Sequence, residues 1–163
     1  MTNHCGTCVA CCRVYSIPEL DKKVGEWCQH CDVGVGCKIY EARPTVCRTY
    51  ECMWLLSQHR EDVRERMAAE LRPDRCKVVI GAATDPSIIT FDALPGYYDA
   101  WRKVPGIARI IKNMARMGMR AVMNTSVLTR KIVVDRDGER EIEMTEPDEQ
   151  GTQWYVATKE KSA

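Results

Sequence analysis

The chain has no apolar run long enough to cross a bilayer. Even the window 107–123 is broken by Arg109, Lys112, Arg116 and Arg120, and no window approaches the roughly 18 apolar residues that a spanning helix needs. An export signal is missing too. Met1-Thr2-Asn3-His4-Cys5 contains no basic region followed by an apolar stretch of about 7–15 residues, which predicts a cytoplasmic protein. Excess charge of one sign is absent, with 24 Lys and Arg against 23 Asp and Glu, so bulk charge gives no reason to expect a non-specific binder of nucleic acid or membrane surface. Histidine is scarce at three residues. No Cys–His–acid arrangement stands out, which argues against thiol-based catalysis and for a protein that is not an enzyme. Internal repeats and low-complexity tracts are lacking as well.

What is present is enough apolar side chain for a core: 45% of the 163 residues are hydrophobic and 29% are charged, the composition and length of one ordinary domain. The unusual count is ten cysteines. Nine fall between Cys5 and Cys52, and only Cys76 lies beyond. In a reducing compartment clustered thiols serve more often as metal ligands or redox centres than as disulfides. The composition shift divides the chain into a cysteine-rich metal module over 1–52 and a small α+β portion over 53–163, packed together as one compact unit.

Local signals fill in the elements. Ser16-Ile17-Pro18-Glu19 predicts a helix start, with a hydroxyl cap and Pro in the first turn, running to about Trp27. Cys28–Cys37, with Gly34 and Gly36 and no periodicity, reads as a loop ordered by something other than packing. Helix formers from Pro44 to about Leu71 predict one long helix ended by Arg72-Pro73. Lys77–Ile80 and Ser87–Phe91 read as paired strands. Tyr97–Lys103 and Ile107–Arg120 read as helices broken at Pro105-Gly106. Lys131–Val134 and Glu141–Met144 flank Asp135–Gly138 as a hairpin, and Trp154-Tyr155 could add an edge strand. The fold class is therefore α+β: a loop-rich N-terminal metal module with short helices, then short antiparallel strands and an amphipathic helix. On that helix Arg109, Lys112, Arg116 and Arg120 share one face. The face offers nucleic acid or an acidic protein a surface, unless the acidic stretch Glu139–Glu149 balances it.

The cysteine spacing carries the chemistry. Cys5-x2-Cys8-x2-Cys11-Cys12, Cys28-x2-Cys31, Cys37, Cys47 and Cys52 contain repeated two-residue steps, which aim two sulfurs at one ion at about 2.3 Å. Zinc fits, because its binding energy orders segments without a core. Iron or an iron–sulfur cluster is the alternative, since Cys5, Cys8 and Cys11 match the first three ligands of the bacterial ferredoxin run. The fourth place holds Tyr15, so a remote cysteine would have to complete that cluster. Neighbouring side chains point in different directions, so Cys11 and Cys12 are expected to serve two different ions lying close together. Nine thiols leave one spare or shared. Arg13, Arg43 and Arg48 lie among the thiols and would offset the charge of about −2 on a four-thiolate zinc centre. His4 and His30 are substitute ligands, His59 faces solvent, and Cys76 is a buried residue at a strand start.

The order Cys-x2-Cys-x2-Cys-Cys, Cys31, Cys37-Lys38-Ile39-Tyr40, Arg43-Pro44-Thr45-Val46-Cys47-Arg48 and Cys52 resembles the bacterial YkgJ-type cysteine-cluster family of zinc- or iron-chelating proteins. The resemblance covers about residues 5–52. It implies metal chelation by Cys5, Cys8, Cys11, Cys12, Cys31, Cys37, Cys47 and Cys52, with Cys28 as a further candidate and Arg43, Arg48 and Tyr40 as supporting neighbours. It names no substrate. An unidentified protein partner is compatible with it.

Overall fold

A computed structural model describes residues 5–149 and 152–156. Its elements, in order, are α1 (Cys11–Val14), β1 (Cys31–Asp32), β2 (Gly36–Cys37), α2 (Thr45–Thr49), α3 (Met53–Gln58), α4 (Pro73–Cys76), β3 (Val78–Ala82), β4 (Ile88–Ala93), α5 (Ala100–Lys103), α6 (Pro105–Arg116), β5 (Arg120–Asn124), β6 (Arg130–Asp135) and β7 (Gly138–Glu143), with short 3-10 turns between them. The α+β class and the loop-rich N-terminal portion are as expected.

The second half is a five-stranded sheet in the order β3-β4-β5-β6-β7, antiparallel except for the parallel β4–β5 pair. A parallel pair needs a crossover, and α5 and α6 provide it. Strand alternation then sorts the side chains. Val78, Ile80, Phe91, Ala93, Ala121 and Met123 join Ile107, Ile111 and Met114 of α6 in the main core, with Trp101 beside them. Val79 points to the opposite face, where it packs with Ala10, Val14 and Leu94 beneath the cysteine-rich half. One sheet thus separates the helical core from the cysteine module.

Four expectations need correction. The helix from Ser16 shrinks to one 3-10 turn, Pro18–Leu20, because Asp21 adopts a left-handed conformation (φ 49°) and turns Lys22 inward. The long helix over 44–71 breaks into α2, α3 and two 3-10 turns. Thr49 Oγ1 donates back to Thr45 O at 3.0 Å, the competing bond that weakens hydroxyl-rich helices, and Tyr50 and Cys52 follow in extended conformation. The basic helix ends at Arg116, with Gly118 at φ 78° behind it, and Arg120 opens β5, a central strand where the pattern predicts helix. Within the 28–37 segment, expected as a loop, Cys31–Asp32 and Gly36–Cys37 pair as a two-stranded ribbon.

The paired strands β3 and β4 and the hairpin β6–β7 stand as expected. Tyr155 makes a single antiparallel bridge to Met144. Arg109, Lys112 and Arg116 are exposed, and among the described residues none joins an ion pair, whereas Arg120 pairs with Asp85 at 2.9 Å. Among the described residues the acidic stretch makes no ion pair with α6: Glu139 pairs with Arg102 and Glu141 with Arg130. Among the described residues no helix is long and apolar enough to cross a membrane.

Candidate metal centre

The module gathers its thiols from short pieces of chain. A turn closed by Cys8 N–H donating to Cys5 O at 3.0 Å presents Cys5 and Cys8. Helix α1 carries Cys11 and Cys12, and a second turn, Cys31 N–H to Cys28 O at 3.0 Å, leads into the ribbon where Cys31 and Cys37 stand directly opposite each other. Cys28 N–H donates to Cys12 O at 3.0 Å and ties ribbon to helix. Cys47 lies in α2, and Cys52 precedes α3. A cavity of about 350 Å³ is lined by Cys5, Cys8, Cys11, Cys12, Cys28, Cys37, Cys47 and Cys52, and Cys31 reaches it through a hydrogen bond to the Cys12 thiol. All ten cysteines are free thiols. Among the described residues no three Cys, His, Asp or Glu side chains could hold a metal ion as placed. The thiols line a wall and do not meet at a point.

Electrostatic reach divides them into two groups. Cys11 lies close to Cys5 and Cys8, Cys5 to Cys52, and Cys52 to Cys8. Cys31 and Cys47 lie close to Cys12, Cys28 and Cys37. Cys11 and Cys12 join the groups through a thiol–thiol hydrogen bond, and Cys12 also lies near Cys5. That bond raises the Cys11 thiol well above its usual range and, helped by Lys22, lowers Cys12 to about 7. Burial pushes Cys31 up to about 12 and raises Cys5, Cys8, Cys47 and Cys52.

Two cations face the thiols. Arg43 stacks on the Tyr40 ring at 3.6 Å, donates to Tyr40 O at 2.7 Å, and lies close to Cys5, Cys12 and Cys47. Lys22 is 6% exposed, the only buried charged side chain among the described residues. Its ammonium donates to the carbonyls of Arg13 and Tyr15 at the end of α1 and lies near Cys11, Cys12 and Cys28. Arg48 is exposed and turned to Thr45, and Arg13 stacks on Trp27 at 5.0 Å. His30 lines the cavity, and His59 is exposed and pairs with Glu51. His4 lies outside the described residues. Cys76 is buried, its thiol bonded to Leu71 O and Val78 O.

Sequence reasoning missed Lys22, which nothing distinguishes from Lys23 beside it. It also missed a polar chain beneath the cavity. Tyr50 Oη donates to Tyr15 Oη at 3.1 Å, and Tyr15 Oη donates to Asp92 Oδ2 at 2.8 Å. The faint signal was an aspartate inside the strand run Phe91-Asp92-Ala93. Burial raises the Asp92 carboxyl, and hydrogen bonds from Tyr15 and Thr90 and the nearby Lys131 charge oppose the rise.

A raised carboxyl pKa sets the sign of a pH effect. Folding then favours the protonated acid, so this group's contribution is greatest below the unfolded value near 3.8 and is lost as pH rises through the higher folded value. Each tenfold difference in acidity between folded and unfolded chain is worth about 1.4 kcal/mol. Asp92→Asn should therefore gain stability relative to the unaltered protein as pH rises from 4 towards 7, measured by denaturant unfolding of both proteins at each pH. A constant difference would remove Asp92 as the source.

The chain matches no family model, no curated protein and no solved structure. The likeness to the cysteine-cluster family accordingly rests on the motif residues alone.

Proposed function

We propose that this protein chelates one or two zinc ions through its cysteine cluster, in two thiolate groups that part at Cys11 and Cys12, and that the metal orders the module without itself being catalytic. The observation that carries this reading is a buried cation set among thiols. An ammonium removed from water is costly unless anions surround it. Lys22 has two carbonyl acceptors and, among the described residues, no carboxylate in ion-pair contact, while Cys12, Cys28, Cys11 and the Glu26 carboxylate lie near it. Metal-bound thiolates would supply the missing negative charge, with Arg43 as the second counter-charge. Zinc accepts four such ligands, and nine thiols are enough for two centres with Cys28 to spare. Metal chelation in the cytoplasm is the corresponding setting.

A second reading has its own support. Cys52 joins Cys5, Cys8 and Cys11, the remote fourth thiol that the ferredoxin-like spacing lacks at Tyr15. An iron–sulfur cluster in electron transfer would use that group. Elemental analysis with an ultraviolet–visible spectrum, on protein purified anaerobically without an affinity-metal column, separates the two. Zinc without visible absorbance is expected. Iron with acid-labile sulfide and absorbance near roughly 400 nm would transfer the argument to the cluster. A folded protein without metal would defeat both readings.

A further inference from the structure

The cavity is larger and more apolar than chelation requires. Its volume of about 350 Å³ falls within the range of small-molecule pockets, roughly 300–1,000 Å³. A zinc ion draws its ligands in to about 2.0–2.3 Å and has no use for a hydrocarbon wall. Yet the wall away from the thiols is built from Ile17, Leu20, Val24, Ile39, Val46 and Val79, none of which can ligate a metal. Val24 and Val46 are also 38% and 43% exposed, so this apolar surface reaches the outside of the protein.

The polar groups in this wall have a fixed direction. The Tyr15 hydroxyl donates to Asp92 Oδ2, so the hydrogen bond between the two tyrosines is donated by Tyr50. The Tyr50 proton is thereby committed inward, and its oxygen retains acceptor capacity at the cavity. The two rings meet edge-on with centroids 5.1 Å apart. Gly81 of β3 leaves room for both hydroxyls: a Cβ there would lie 3.3 Å from Tyr50 Oη and 3.4 Å from Tyr15 Oη. Thr90 and Lys131 are the other polar neighbours of Asp92.

We propose that the cavity beside the thiol groups binds a small, largely apolar molecule bearing one O–H or N–H group, which donates to the Tyr50 hydroxyl in an orientation set through Tyr15 by Asp92. The inference deepens the chelation reading, since such a molecule would sit against the metal-bearing thiols. It needs only the cavity and the Tyr50 acceptor, so either idea can fail alone.

Phenol and anisole are the probes, equal in ring size and differing in one donor hydrogen. Titrated calorimetrically into the full-length protein as purified, with metal content measured on the same sample, phenol should bind roughly three- to tenfold more tightly than anisole, the range of one net hydrogen bond. Tyr50→Phe should lower phenol to the anisole value and leave the metal content unchanged. Val24→Trp, a change at a partly exposed position of the wall, should weaken both probes. Equal affinities in the unaltered protein, no binding of either, or discrimination that survives Tyr50→Phe would overturn the proposal. Discrimination by a metal-free protein would support it while sinking the chelation reading. Its absence in a metal-loaded protein would do the reverse.

Discussion

Removing metal with a chelator under reducing conditions is expected to melt residues 5–52 while the five-stranded sheet stays folded. The elements of the first half run two to five residues, far below the ~12–15 at which an isolated helix becomes even marginal in water. Among the described residues its buried hydrophobics before residue 52 are Val9, Ala10, Val14, Ile17 and Cys28, too few to offset the entropy of ordering so much chain. A structural zinc supplies an apparent ~10–16 kcal/mol in small zinc-dependent modules. The second half has its own core around Phe91, Ile107 and Met123 and does not depend on that contribution. Hydrogen exchange on loaded and chelated protein should show protection lost in α1, the ribbon and α2 and kept in β3–β6. The links that carry the module, Tyr15 to Asp92 and Arg72 to Thr7 at 2.7 Å, should open with it. A chelated protein still protected over 5–52 would mean that packing on Val79 and Leu94 suffices.

How much could be read beforehand follows from which forces are local. The hairpin at Asp135–Gly138 and the pairing of β3 with β4 were legible because turn residues and alternation lie within a few positions of each other. Strand β5 was not. Met119-Arg120-Ala121-Val122-Met123 continues the helical pattern of α6, and only the parallel slot beside β4 makes it a strand. The 44–71 helix failed for the converse reason, since Thr49 and the extended Tyr50 and Cys52 answer to the cavity and not to their neighbours in sequence. In the site, spacing singled out the cysteines that line the cavity, because they stand at short intervals along the chain. Lys22, Tyr15, Tyr50 and Asp92 are assembled across the fold, with 77 positions between Tyr15 and Asp92, and no interval encodes them.

The most direct test of two adjoining centres uses single changes at the vicinal pair. Successive residues of a helix leave its axis about 100° apart, and although the two thiols touch, Cys11 lies close to Cys5 and Cys8, whereas Cys12 lies close to Cys31 and Cys47. Serine is a poor substitute for a thiolate ligand to zinc, so each change should empty one centre. The measurement is metal per chain by elemental analysis in the unaltered protein, Cys11→Ser, Cys12→Ser and Cys28→Ser. The account predicts two zinc ions in the unaltered protein and in Cys28→Ser, and one in each of the vicinal variants. One ion or fewer in the unaltered protein, or loss of all metal in both vicinal variants, would contradict the two-centre arrangement, and no metal at all would contradict chelation itself.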